Sequence, residues 1–257
     1  MDSIAKSEFN VISKNDDSFF SKMKKMNIHA VDIISERLSG NVEDVFFRNE
    51  EYKIAIATLN CNRRNSLAVT GSSGVGKTTF IHYLSNYLPV FLPGFKFAEI
   101  NVPSLMSDCS YRGEFEKKLT FLIESAINDH VIVYFDEAHS LSMTGGSGTG
   151  GIDAMNILKP HLTRGLRCII STTIEESHHI KNDSAFTRRF RFIELGDISD
   201  EQRFYILRNK FKNNPLIESY ISENDTSKKN LFELIDDVDF LISTNNIVWG
   251  FDEVHTK

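Results

Sequence analysis

Gly71-Ser72-Ser73-Gly74-Val75-Gly76-Lys77-Thr78, continued by Thr79, is the stretch on which the reading of this chain turns. It has the spacing GxxxxGK[ST], and its flanks agree with that spacing. Ser66-Leu67-Ala68-Val69-Thr70 before it is a short apolar strand, and Phe80, Ile81, Leu84 and Leu88 after it recur at helical spacing. Strand, glycine-rich turn and helix in that order make a phosphate cradle. Glycines let successive backbone N–H groups point inward without side-chain clashes, and the start of the helix adds partial positive charge. Lys77 is placed to reach the β- and γ-phosphates of a nucleotide, and the Thr78 hydroxyl to ligate Mg²⁺.

Working outward, strands and helices alternate. Phe97 to Val102 reads as a second strand, and Phe115, Leu119, Leu122, Ile123 and Ile127 stripe a helix. Val131-Ile132-Val133-Tyr134-Phe135 is a continuous apolar strand, as expected where both faces are covered. Leu166 to Ser171 and Phe190 to Leu195 supply two more. The pattern predicts an α/β fold with a parallel five-stranded sheet flanked by helices. The third of these strands ends in Asp136-Glu137, and acidic side chains at that end emerge in the crevice where ligands bind. Asp136 is the candidate for the Mg²⁺ shell and Glu137 for polarising an attacking water.

Toward the N-terminus, residues 1–26 read as a polar, loosely ordered leader. From Asn27 the spacing of Ile28, Val31, Ile34 and Leu38 suits a helix ending at Ser39-Gly40-Asn41, and a second helix covers Asn49 to Asn60. Residues 27–197 are taken as the large α/β unit. From Ser199-Asp200-Glu201-Gln202, a capping box, only helical stripes follow, so residues 198–257 read as a small helical lid.

The bulk composition restricts the class of function. Over 257 residues, 29 Lys and Arg stand against 35 Asp and Glu, a formal net charge of -6. That balance argues against broad nucleic-acid binding, which needs clustered positive charge. Cys61, Cys109 and Cys168 are widely spaced and odd in number, so neither a disulfide framework nor a metal cluster is implied. Free thiols, no signal-peptide core and no apolar run of bilayer length make the cytoplasm the expected compartment and a membrane partner unexpected.

Several ordered stretches resemble the first ATPase ring of the Clp-type AAA+ unfoldases and disaggregases. Asp136-Glu137-Ala138-His139 resembles that family's DExH acidic motif, and Tyr111-Arg112-Gly113-Glu114-Phe115-Glu116-Lys117-Lys118-Leu119 its pore-loop signature. Gly150-Gly151-Ile152-Asp153-Ala154-Met155-Asn156-Ile157-Leu158-Lys159-Pro160 is similar to the segment that follows the acidic motif. Thr172-Thr173 and Asp183-Ser184-Ala185-Phe186-Thr187-Arg188-Arg189-Phe190 are similar to the sensor-1 strand and the arginine-finger segment. Asp44-Val45-Phe46-Phe47-Arg48-Asn49-Glu50-Glu51 resembles the opening segment that contacts adenine, with Phe47 where the family has glycine. The similarity covers residues 27 to about 210.

The resemblance implies ATP and Mg²⁺ as cofactors, with Val45 and Phe46 beside the adenine. It implies that Thr173, or its neighbour Thr172, contacts the lytic water or γ-phosphate. Arg188 and Arg189 would complete the site of a neighbouring copy, which implies a ring, a hexamer in the family, or assembly with a related ATPase. Tyr111, with Arg112 and Gly113, would grip polypeptide at the ring axis. The glycine-rich run Thr144 to Gly151 stays open between a second pore loop and a passive linker. The lid departs from the family: no sensor-2 arginine is identifiable in it, and it reads as shortened. The expected function is therefore an ATP-hydrolysing module that threads and remodels protein. The alternatives are an AAA+ loader or regulator acting on DNA, and a nucleotide-dependent scaffold with negligible turnover.

Overall fold

Strand β2 (Ser66–Gly71) is buried along its whole length and leads directly into the glycine-rich loop. The computed structural model describes residues 18–40, 45–107, 109, 112–138, 141, 154–210, 214, 215 and 219. Around β2 are assembled β1 (Ala30–Asp32), β3 (Lys96–Ile100), β4 (Val131–Phe135), β5 (Cys168–Thr172) and β6 (Phe190–Leu195). The described sheet has the order β1-β3-β4-β5-β2-β6. Five strands are parallel, as expected. The sixth, β1, pairs antiparallel with β3, Ala30 opposite Ile100 and Asp32 opposite Ala98.

Side-chain alternation along the strands separates two cores, because successive residues face opposite sides of a sheet. Ala68, Ala98, Val133, Phe135 and Ile170 face one core. Leu67, Val69, Phe97, Ile132, Tyr134 and Ile169 face the other. The first is covered by helices that include α1 (Phe19–Lys25), α7 (Arg112–Asn128) and α8 (Ala154–Leu162). The second is covered by α3 (Asn49–Leu59), α4 (Lys77–Tyr83) and α5 (Leu88–Phe91), while α2 (Ile33–Leu38) adds Ile33 to it. The remaining described helices are α6 (Val102–Met106), α9 (Ile174–Asn182), α10 (Ser184–Thr187), α11 (Asp200–Lys210) and a 3-10 turn at Leu84–Asn86 that follows α4.

Two expectations near the N-terminus are corrected. The helix anticipated from Asn27 is a strand, β1, followed by the shorter α2. Asp32 ends the strand and caps the helix, its side chain accepting from the Ile34 and Ser35 amides at 3.1 and 3.4 Å. The spacing of Ile28, Val31 and Ile34 suited a helix, but pairing with β3 competes for the same backbone and wins. Within the stretch read as a loose leader, Phe19–Lys25 forms α1, capped by Ser18, with Phe19 and Met23 fully buried. Phe19, Lys22 and Met23 fall on one helical face, a stripe too short to stand out in the sequence. Lys22 also pairs with Asp129 at 3.1 Å. Farther on, Cys61, Cys109 and Cys168 are free. No helix among the described residues is long and apolar enough to cross a membrane. The later lid stripes, from Phe211 through Leu241, fall largely outside the described residues.

Candidate active site

The loop between β2 and α4 is fixed by backbone geometry at both ends. Gly76 has φ +91°, the left-handed region where a side chain is strained, and its carbonyl accepts from the Phe80 amide at 2.9 Å to open α4. Gly71 is crowded instead: a Cβ there would lie 2.8 Å from the Leu195 carbonyl oxygen and 2.8 Å from a Val75 methyl. Lys77 turns back over the loop, its Nζ donating to the carbonyls of Gly71 and Ser72 at 3.0 and 2.9 Å. Behind it, α3 anchors α4. Tyr52 stacks on Phe80 with centroids 4.4 Å apart and donates its hydroxyl to the Phe80 carbonyl at 3.1 Å. Burial pushes the Tyr52 phenol well above its ordinary pKa, so it remains a neutral donor.

The end of β4 brings the acidic pair to this loop. Thr78 Oγ1 donates to Asp136 Oδ2 at 2.9 Å, and the Glu137 amide donates to Asp136 Oδ1 at 2.9 Å. Glu137 is exposed and left-handed, φ +50°, a strained conformation of the kind that gathers at functional turns. Ser171, next along the sheet on β5, adds two contacts: its hydroxyl donates to Asp136 Oδ1, and its carbonyl accepts from the Ala138 amide at 2.8 Å. A hydroxyl and a carboxylate at this distance, both hard oxygen donors, fit Mg²⁺, which binds through one or two protein oxygens with phosphate and water completing its shell. Sequence reasoning missed Ser171. The signal lay in strand register, since Phe135 lies opposite Ile170 and so Asp136 falls beside Ser171.

The two threonines at the end of β5 lie next to this acidic turn. The Thr172 hydroxyl donates to Glu176 Oε2 at 2.8 Å. Thr173 is the N-cap of α9, in a capping box with Glu176: its oxygen accepts from the Glu176 amide at 3.3 Å, and its own amide donates to Glu176 Oε2 at 3.1 Å. Both hydroxyls therefore organise the strand-to-helix turn.

Val45 and Phe46 line a cleft of about 740 Å³ whose floor is Ser73 to Gly76, with Thr79 and Phe80 beside it. Its far wall is α11, through Arg203, Ile206, Leu207 and Lys210. These were not singled out as site residues, yet their i, i+3, i+4, i+7 spacing puts them on one helical face. The capping box expected at Ser199 is present, with reciprocal bonds between Ser199 and Gln202 at 3.0 and 3.4 Å. Arg48, 8% exposed, ties the opening segment to the end of β6 by donating to the Gly196 carbonyl at 2.7 Å. Phe46 and Phe47 meet Tyr205 of α11 edge-on, centroids 5.5 and 5.3 Å apart, and Phe47 has φ +61° where the family would place glycine.

Arg188 and Arg189 are not part of this cluster. They form the turn between α10 and β6, at the end of the sheet where Ser66 lies opposite Phe190, whereas the loop leaves from Gly71, opposite Leu195. Five residues of strand separate the two ends by about 17 Å. Arg112 and Gly113 lie in the first turn of α7, while Tyr111, just before it, is outside the described residues. So is the glycine-rich run Thr144 to Gly151.

The profile of the ATPase family associated with various cellular activities (AAA) matches residues 67–196, just over half of the chain. Heat shock protein hsp98 of Neurospora crassa is 35% identical over 187 residues, 69% of this chain and 20% of that protein. The chaperone protein ClpB of Dichelobacter nodosus is 32% identical over 190 residues, 70% of this chain and 22% of that protein. The chain thus spans about a fifth of the length of these relatives. Among solved structures, a closed-state reconstruction of Hsp104 with ATPγS and FITC-casein superposes with a TM-score of 0.62 at 29% identity, covering 80% of this chain and 34% of that one. The chain belongs to the AAA family of ATPases, and its similarities in sequence and in structure place it with the Clp type.

Proposed function

We propose that the chain binds ATP with Mg²⁺ at the Gly71–Thr79 loop, hydrolyses it, and uses the cycle to remodel protein substrates. The observation that carries this reading is the contact of Thr78 with Asp136 at 2.9 Å, where the glycine-rich loop passes into α4. It joins the phosphate cradle to the acidic strand end in the arrangement that phosphoryl transfer needs. In this reading the loop amides and Lys77 hold the phosphates, which requires Nζ to leave the Gly71 and Ser72 carbonyls for a stronger, charge-assisted partner. Thr78 and Asp136 hold Mg²⁺, which when bound neutralises charge on the phosphate oxygens. Glu137, exposed at the turn, orients and polarises the attacking water. Thr173 or Thr172 contacts that water or the γ-phosphate from the neighbouring strand end. Val45 and Phe46, faced by Ile206 and Leu207, supply an apolar slot of the kind that takes a purine base.

Arg188 and Arg189 stand about 17 Å of strand from their own loop, so a role in transfer places them on the site of an adjacent copy or of a related ATPase. This supports a ring, taken as a hexamer from the family resemblance. Polypeptide as substrate rests on the pore-loop resemblance of Tyr111-Arg112-Gly113 and on relatives named as heat shock proteins and chaperones. An aromatic at a ring axis offers apolar area and a ring face to varied side chains.

The test compares wild type with Tyr111→Ala for ATP hydrolysis and for ATP-driven unfolding of a fluorescent reporter protein. The expected result is hydrolysis retained and unfolding lost in the variant. Equal unfolding by both chains would contradict threading through Tyr111.

A further inference from the structure

Behind the strand end that carries Asp136 lies a buried run of hydroxyls that the mechanism above leaves unused. Tyr134 and Ser171 are both 0% exposed. Tyr134 Oη lies 3.1 Å from Ser171 Oγ, and the Ser171 hydroxyl donates to Asp136 Oδ1. A serine hydroxyl has one proton. With that proton committed to Asp136, the Ser171 oxygen must accept from Tyr134, so the run has a single direction, from Tyr134 through Ser171 to the carboxylate.

We propose that Ser171, backed by Tyr134, is a positioning residue for Asp136 and for the turn that presents Glu137. Ser171 grips this turn on both sides of Glu137. Its hydroxyl holds Asp136, and its carbonyl takes the Ala138 amide at 2.8 Å. A carboxylate is otherwise loosely held about its terminal torsion. With Oδ1 occupied by Ser171 and by the Glu137 amide, the torsion is fixed and Oδ2 stays on Thr78 at 2.9 Å. Partners of this kind set the orientation and basicity of a metal-binding carboxylate without touching the metal. The inference rests on reading Thr78 and Asp136 as the Mg²⁺ pair. The simpler view is that two buried hydroxyls only satisfy each other, in which case their removal changes stability alone.

The two views separate in the coupling between metal and nucleotide. The probe is a fluorescent, non-hydrolysable ATP analogue, whose Kd is measured in EDTA and again in excess Mg²⁺, with thermal midpoints recorded alongside. For Ser171→Ala the ratio of the two Kd values is expected to fall about tenfold from wild type, with the EDTA value changed by less than about twofold. Ser171→Thr, which keeps the hydroxyl, is expected to restore most of the ratio. An unchanged ratio in Ser171→Ala overturns the proposal, whatever happens to the thermal midpoint. Should Ser171→Ala not fold, Ser171→Cys decides by the same ratio, since a thiol fills the space but donates weakly. If the wild-type chain binds no analogue in either buffer, the nucleotide reading itself fails and this inference falls with it.

Discussion

Lys77, Thr78, Asp136 and Glu137 come from two segments almost sixty residues apart, yet each was readable from its immediate neighbours. A glycine-rich loop between strand and helix, and an acidic pair at a strand end, are local patterns whose chemistry follows from spacing. Ser171 was not readable in that way. Its significance comes from lying beside Asp136 across a strand pair, which no window of sequence shows. Gly71 shows how tight the site is. Its missing Cβ is replaced by the Leu195 carbonyl and a Val75 methyl, both at 2.8 Å from where that atom would stand. Gly71→Ala is therefore expected to lose about 1–3 kcal/mol in urea denaturation through overpacking, more than an exposed substitution would. Part of that loss would appear as weaker nucleotide binding, since β2 and the loop must shift together.

Among elements, the parallel core was legible, because runs such as Val131–Phe135 are apolar throughout and admit few readings. The N-terminal portion was not. Three residues of β1 leave no periodic trace, and Asp32 serves as both strand end and helix cap. α1 carries only two fully buried residues, which a sequence window cannot tell from a polar segment with a few apolar side chains. Those two are nevertheless part of the core on the face of the sheet that α7 and α8 cover. Met23→Ala is expected to lower stability by about 2–5 kcal/mol in thermal or denaturant unfolding. A change within about half a kcal/mol would mean that α1 is not held in place. α11 was foreseen as a helix, but its role was not. The face formed by Arg203, Ile206, Leu207 and Lys210 becomes a wall of the cleft only because β6 and Gly196 bring it back over the loop.

For the molecule as a whole, the sheet decides which residues can act together. The strand ends that carry the loop, the acidic pair and the two threonines all lie at one end of the sheet, the C-terminal end of its parallel strands. Arg188 and Arg189 lie at the opposite end of the strands, too far to serve their own loop. A single copy thus holds the glycine-rich loop, the acidic turn and the cleft lined by Val45 and Phe46, while its arginine pair lies elsewhere. The proposed function requires this end of the sheet to hydrolyse ATP and a second copy to complete the site. The measurement that tests it most directly is the ATP hydrolysis rate per chain as a function of protein concentration, for wild type and Glu137→Gln. The expected result is a wild-type rate per chain that rises with concentration, and a fall of at least about 10²-fold in the variant with ATP binding retained. A rate per chain that is flat with concentration would contradict the shared site, and a rate that Glu137→Gln leaves unchanged would contradict the assignment of the reaction to this turn.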